Sequence, residues 1–352
     1  MSGGIAQLVA IGAQDAHLVG QPEVSFFRSN YKRHTNFAQT VERQTIQGNP
    51  SSNGMSTVRF ERKGDMLGYV YLTPVGEDGA AQEFSVANLR TQINKVELLI
   101  GGQVIDTQDS TFSMDLAPIT MSQNLTKSTT GFASNPGKFY PLRFSFCENA
   151  QSALPLVALQ YHDVELRITW GGTIVTSPEV YAQFIHLDTD ERTVLSSTPQ
   201  NMLITQTTSI DASNSKVQEL SLNHPVKFIA GTQVNSTTGK IATLNCVSSG
   251  SIKLQINGTD VTNFKVAKPH FTQAPVYFHC PNSNVDDDAD NKFLQPFCID
   301  TAKLQPTGTL NFSRLDSARF VGDTSTFTGN MYAVGYNILR IENGMGGLMY
   351  SN

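Results

Sequence analysis

Two stretches of alternating apolar residues, each running into a tight turn and standing 156 residues apart, constrain the fold of this chain more than any other feature. In "KVELLIGGQVID" (Lys95 to Asp106), Val96, Leu98 and Ile100 occupy every second position, and Gly101-Gly102 supplies the positive φ angles of a two-residue hairpin turn. In "SIKLQINGTDV" (Ser251 to Val261), Ile252, Leu254 and Ile256 do the same, and Asn257-Gly258 makes the turn. A third stretch, "DVELRITW" (Asp163 to Trp170), alternates most cleanly, with Val164, Leu166, Ile168 and Trp170 on one face and Glu165, Arg167 and Thr169 on the other. Period-2 alternation predicts strands with one face in a core and one face wet. Helix-period segments are scarce, the best being a short one around Thr111 to Gln123.

Other landmarks recur in the same order. "PLRFSFC" (Pro141 to Cys147) is echoed by "PFC" (Pro296 to Cys298), and "YAQFIHL" (Tyr181 to Leu187) by "YAVGYNILRI" (Tyr332 to Ile341). Shared order at similar offsets predicts two copies of one β fold. With 352 residues, 39% of them hydrophobic, the chain can bury a core in each copy. Each half holds about eight strands of roughly six residues with their loops, the content of a jelly roll. The polar "DERTVLSSTPQN" (Asp190 to Asn201) reads as the linker. The expected division is an amino-terminal arm over 1–25, a first jelly roll over 26–195 and a second over 196–352, an all-β chain with short helices in its loops. The most polar loops, over 48–54, 127–137 and 281–291, read as surface excursions between strands.

The net charge of −5 gives no basic field to drive bulk nucleic-acid or anionic-membrane binding. Cys147, Cys246, Cys280 and Cys298 lie far apart without CxxC spacing, which suits free, buried thiols in a reducing compartment. Asp15 and His17 interrupt any signal-like run at the amino terminus, and Pro155 interrupts the longest apolar run, Ala153 to Leu159. The expectation is a chain neither secreted by that route nor membrane-spanning.

No catalytic constellation stands out, and no catalytic, cofactor-binding or metal residue is assigned. His186, Asp188 and Asp190 would share one strand face, where a metal site competes with plain alternation. Asp286 to Asp290 lacks the glycine and ligand spacing of a calcium loop and reads as a solvated acidic tip. His279-Cys280, with Cys298 and His270 further off, has neither zinc nor thiol-protease spacing. Sequons at Asn124, Asn235, Asn257 and Asn311 come without a secretory signal, and Asn257 suits a tight turn on backbone grounds alone. Arg314, Asp316 and Arg319 fit a subunit contact or an exposed strand end with a local ion pair equally well. The arm carries Phe26, Phe27, Arg28, Lys32 and Arg33, which suit either a partner groove or anionic surface, or an extended arm whose phenylalanines pack on the chain's own barrel.

"IGAQDAHLVGQPEVSFFRSNYKRHTNFA" (Ile11 to Ala38), "ALPLVALQYHDVEL" (Ala153 to Leu166), "GTLNFSRLDSARF" (Gly308 to Phe320) and "YNILRIENGMGGLMYSN" (Tyr336 to Asn352) resemble the major capsid proteins of nucleocytoplasmic large DNA viruses, most of all those infecting algae. These segments run from near the first residue to the last. The resemblance implies a double jelly roll, two tandem eight-stranded antiparallel sandwiches, without enzymatic activity or a cofactor. It implies a homotrimer forming a pseudo-hexagonal capsomer, and neighbouring capsomers tiling the shell of a virion assembled in the host cytoplasm. Further partners implied are minor capsid proteins and the internal viral membrane, with no sequence-specific nucleic acid; the arm would lie on the inner side of the shell. The competing readings are a related double-jelly-roll minor capsid or assembly-scaffold protein, and a carbohydrate-binding β-sandwich; the single tryptophan and the lack of an acid pair weigh against the latter. The chain is short for the family, with compact loops in its second half. Since some relatives carry glycans outside sequons, no attachment site transfers.

Overall fold

The computed structural model describes residues 4–6, 12–75, 92–121, 139–172, 177–231, 233–234, 241–242, 250–280, 292–323 and 326–350. The chain divides into two units, Met1–Asn36 and Phe37–Asn352. The first has a 3-10 turn at Ala13–Asp15 and one helical turn at Ala16–Val19, with none of its described residues buried. Asp15 caps that turn locally, its Oδ2 accepting from the Gly12 amide at 2.6 Å.

In the second unit the strands are β1 (Phe37–Gln44), β2 (Ile46–Gln47), β3 (Met55–Arg59), β4 (Met66–Val75), β5 (Ile93–Ile100), β6 (Gln103–Asp109), β7 (Tyr140–Pro141), β8 (Leu154–Pro155), β9 (Val164–Trp170) and β10 (Ser177–Leu187). After them come β11 (Gln200–Ile210), β12 (Val217–Glu219), β13 (Pro225–Gly231), β14 (Gln233–Val234), β15 (Ile241–Ala242), β16 (Ser251–Ile256), β17 (Thr259–Asp260), β18 (Lys265–Val266), β19 (Phe293–Pro296), β20 (Leu310–Asn311), β21 (Ala318–Gly322), β22 (Met331–Glu342) and β23 (Met345–Leu348). The first ten make a sheet in the order β1-β10-β4-β7, with β8 also on β4, and a sheet β2-β3-β9-β5-β6. The later ones make β11-β22-β13-β19, with β20 on β13 and β23 on β22, and β12-β21-β16-β17, with β18 on β16. Written side by side, and leaving aside β2, the two pairs of sheets have the same order and the same antiparallel sense, so the repetition read from the sequence is a repeated sandwich. Its landmarks fall on matching strands: the two hairpins are β5–β6 and β16–β17, and the two Pro-aromatic stretches start in the edge strands β7 and β19.

One echo is shifted. Tyr181 pairs with Tyr71 on β4, whereas the matching strand pair places Val334 opposite Phe228. Pro141 pairs with that same Tyr71 and Pro296 with that same Phe228. Val334, two residues beyond Tyr332, is therefore the counterpart of Tyr181, and an even shift keeps the face.

Alternation translates into burial as expected. Strand β9 alternates buried and half-buried along its whole length, with Val164, Leu166, Ile168 and Trp170 inside, and the Trp170 indole N–H donates to Ser56 Oγ at 2.9 Å. At the first turn Gly101 and Gly102 have φ of 58° and 82°, and a Cβ on Gly101 would also run into the His162 ring. At the second turn Asn257 and Gly258 have φ of 48° and 77°. The Asn257 side chain does more than tolerate that turn: its Oδ1 accepts from the backbone amides of Asp316 and Ser317. The chief departure is the linker. Residues Thr189–Ser197 form a helix, because Asp188 caps it from outside, Oδ1 accepting from the Thr189 amide, and Asp190 and Glu191 complement its first turn. The strand ends at Leu187, so His186, Asp188 and Asp190 share no face.

Each sandwich encloses its own apolar core. One runs through Val58, Leu72, Ile100, Phe144, Leu166 and Phe184, the other through Ile229, Ile252, Phe271, Phe293, Phe320 and Phe327.

Candidate functional site

A third core lies outside both sandwiches, at their junction. Phe112, Leu116, Ala117, Ile119 and Met121, from the helical segment that follows β6 (Phe112–Leu116 and Ala117–Thr120), pack with Phe228 and Ala230 of β13, Leu294 of β19 and Tyr332 and Val334 of β22. Val276 and Cys280, from the helix Gln273–His279 and its end, join the same cluster. The outer face of the β11-β22-β13-β19 sheet is thus covered, which is why β13 is buried almost throughout and β22 has lost its alternation.

A buried polar seam runs beside this core. Asp106 at the centre of β6 accepts from the amides of Thr107 and Thr207 and from Gln108 Nε2 at 2.8 to 2.9 Å. Burial outweighs those bonds and pushes its carboxyl up to about 7. Asp109 receives the Tyr332 hydroxyl and is also raised by burial. Gln206 donates to the Ile105 carbonyl, and Asn337 Nδ2 donates to Gln206 Oε1 and to the Tyr350 carbonyl, both at 2.8 Å. Arg143 and Glu148 form a buried ion pair at 3.1 Å. Buried polar groups carry a high cost unless satisfied, so a seam of this kind fixes how the two sandwiches meet.

The carboxy-terminal hairpin adds a further tie between the sandwiches. Strand β23 turns back from β22 through Asn343 and Gly344, both at positive φ. The Gly344 carbonyl accepts from the Tyr161 amide, the Leu348 amide donates to Gln103 Oε1, and a Cβ on Gly346 would sit 2.6 Å from Leu159 Cδ2. The last strand of the second sandwich is thereby fastened to the first.

On the matching outer face of the β1-β10-β4-β7 sheet no such cover occurs among the described residues. Tyr71 stacks on Tyr181 with ring centroids 5.5 Å apart, Phe139 sits edge-on to Tyr71 at 5.8 Å, and Tyr69 is 42% exposed beside them. Val41 is exposed on the same face, and Arg43 reaches Glu179 at 3.0 Å.

The residues singled out in the sequence lie elsewhere. Phe26 and Phe27, with Arg28, Lys32 and Arg33, belong to the 1–36 unit and are all exposed. Arg314 and Asp316 sit exposed in the turn before β21, whereas Arg319, on β21 itself, donates from Nε to Gln255 Oε1 at 2.6 Å. No ion pair joins these three among the described residues. His279 Nδ1 lies 2.9 Å from the Cys298 carbonyl and Cys280 Sγ 3.2 Å from Thr301 Oγ1. Burial pushes the Cys280 thiol up to about 12, which leaves it protonated and unreactive at neutral pH. No cluster of three metal-ligating side chains occurs among the described residues. The junction cleft beside Lys227, Tyr336 and Thr301 holds about 40 Å³, room for a water and well short of a small-molecule site. The acidic tip over 286–290, the loop over 127–137, Asn124, Asn235 and Cys246 fall outside the described residues.

The junction was not foreseen from the sequence, although a signal for it exists. "APIT" at Ala117 to Thr120 recurs as "APVY" at Ala274 to Tyr277, at the same place in each copy. Four residues among many apolar ones were too short to separate from chance.

Comparison with known proteins agrees with this architecture. Residues 25–220 match the family described as major capsid protein N-terminus, and residues 191–347 match the large eukaryotic DNA virus major capsid protein family. The chain is 32% identical to the major capsid protein of Pyramimonas orientalis virus and 30% identical to that of Paramecium bursaria Chlorella virus 1, each over the whole of both chains. Among solved structures, the capsid chain in the quasi-atomic model of PBCV-1 superposes with a TM-score of 0.74 at 24% identity, covering 93% of this chain and all of that one. The Faustovirus major capsid protein superposes at 0.64 with 11% identity, covering 94% of each. A duplicated sandwich with a fixed internal junction, matched from end to end by relatives of this one kind, places the chain in the major capsid protein family of large eukaryotic DNA viruses.

Proposed function

We propose that three copies of this chain associate into a pseudo-hexagonal capsomer, the block from which an icosahedral shell is tiled. The observation that carries this is the repeated sandwich with one outer sheet face covered from within the chain and its counterpart left without such a cover among the described residues. A chain with two near-equivalent sandwiches offers six near-equivalent sides in a threefold ring, so hexagonal packing needs no sixfold symmetry. In this reading the chain is a structural component of the virion and not an enzyme, which its membership of the major capsid protein family supports. Assembly takes place in the host cytoplasm, with neighbouring capsomers and minor capsid proteins as partners.

The working division is an arm over 1–25, a first jelly roll over 26–195 and a second over 196–352. Phe26 and Phe27 would anchor the arm beneath the shell, with Arg28, Lys32 and Arg33 meeting acidic proteins or the headgroups of an internal membrane. Arg314 and Asp316 remain available for a subunit contact, while Arg319 already serves Gln255. Sedimentation equilibrium of the purified chain tests the central element. Three times the 38.4 kDa of one chain is expected, and a monomer at all concentrations overturns the reading. For the arm, removal of residues 1–27 is expected to impair shell assembly; unchanged assembly would withdraw its assigned role.

A further inference from the structure

The two sandwiches differ in what covers them, and the difference has a direction. On the second, Phe228 and Val334 are 0% and 1% exposed beneath Leu116, Ala117, Ile119 and Met121 of the first. Their counterparts on the first, Tyr71 and Tyr181, are only half-buried, and Tyr69 beside them is more open still. The covering segments show the reverse asymmetry. In the first copy Thr120 and Met121, which follow Ala117-Pro118-Ile119, are buried in the junction. In the second copy the residues that follow Ala274-Pro275-Val276 are Tyr277 and Phe278, which are 68% and 73% exposed and stand edge to face at 5.0 Å. Among the described residues there is thus one cover with nothing beneath its outer side and one sheet face with no such cover, and they belong to the same repeated pair.

We infer that Tyr277 and Phe278 of one copy dock on the outer face of the β1-β10-β4-β7 sheet of a second copy, over Tyr69, Tyr71 and Tyr181. If a neighbouring copy stands to this one as the first sandwich stands to the second within the chain, the second cover of one meets the first sandwich of the other. Such a contact is heterologous, joining different patches on the two copies, and it closes into a ring when three chains have each used both patches. Its chemistry suits a separable interface. Where the internal junction uses Thr120 and Met121, this one offers large aromatic anchors to an aromatic platform, the residue types that dominate binding energy at the centres of protein interfaces. Both surfaces lie within the Phe37–Asn352 unit, so the amino-terminal arm is not required for the contact.

This inference rests on the trimeric reading and is tested so that the two can fail separately. A benzophenone amino acid replaces Phe278 in the full chain, the protein is irradiated, and the cross-linked peptides are sequenced. A product of twice the chain mass is expected, joining position 278 to peptides from 66–75 or 177–187. In parallel, a Tyr277→Lys, Phe278→Asp double variant is expected to keep the native circular dichroism spectrum while associating at least about 100-fold more weakly. A Tyr69→Glu variant is expected to weaken association in the same direction. If the unmodified chain is trimeric but position 278 cross-links to other segments, or the double variant remains a trimer at the same concentrations, the interface is wrong and the trimer stands. If the unmodified chain is a monomer, both fall.

Discussion

The outer faces of the β1-β10-β4-β7 and β11-β22-β13-β19 sheets have the same strand order and opposite environments. On the second sheet, apolar side chains face outward under a cover supplied by the first sandwich, and the central strands β13 and β22 are buried almost throughout. On the first, the outward positions hold tyrosines, Gln39, Gln183 and the Arg43–Glu179 pair, which tolerate water yet present broad apolar surface. Duplication has produced two similar folds, and the neighbours of each have set the composition of its outer face. Tyrosine at Tyr71 and phenylalanine at Phe228 mark one position of the repeat in its two environments.

The largest effect that would sharpen this comparison is the loss of the buried anchor. Phe228→Ala is expected to destabilise the chain by about 3–5 kcal/mol, whereas Tyr71→Ala, measured in dissociated chains by urea unfolding, should cost well under half of that. Equal losses would break the comparison. The polar seam offers a second handle. The folded-state value of Asp106 is raised from the ordinary 3.8, so between about pH 4 and 7 the folded chain holds a proton that the unfolded chain releases. Stability is fully present at the acidic end of that window and falls as pH rises through 7, by an amount on the order of 4 kcal/mol, with Asp109 acting in the same sense. Unfolding midpoints across this range should show the decline, and Asp106→Asn should flatten most of it.

Smaller changes follow at the clasp and on the open face. In Gly346→Val the new side chain meets Leu159 and Ile100, and overpacking there is expected to cost about 1–3 kcal/mol and to loosen β23, read as faster hydrogen exchange at Leu348. Smallest of all, Arg43→Ala removes an ion pair whose arginine is mostly exposed, and should change the stability of dissociated chains by less than about 1 kcal/mol.

Much of the fold was legible because local rules carried it. The alternation in β9, the two hairpin turns and the recurrence of landmarks are properties of short segments whose burial is decided by the pleat. Elements whose character comes from distant neighbours were harder to read. The stretch over Asp190 to Asn201 has a linker composition, and only the Asp188 cap and the acidic first turn make it helical. Leu99 sits on the face expected to be wet and is buried, with no local signal to mark it. Asp106 reads as the end of a hairpin in the sequence and becomes a buried junction carboxyl only when β11 packs beside it. The covering segment is legible as a short helix, but its partner surface, more than 100 residues away, is not. The arm residues and Arg314, Asp316 and Arg319 stood out by charge and aromaticity, signals that do not say what a side chain will meet.

Hydroxyl-radical footprinting of dissociated and associated chains tests most directly whether a second copy covers the open sheet as the chain covers its own. The account predicts that Tyr69, Tyr277 and Phe278 react readily in the monomer and that on association their modification falls toward that of buried Tyr332. Tyr69 and Phe278 reacting as fast in the assembled protein as in the separate chains would contradict it.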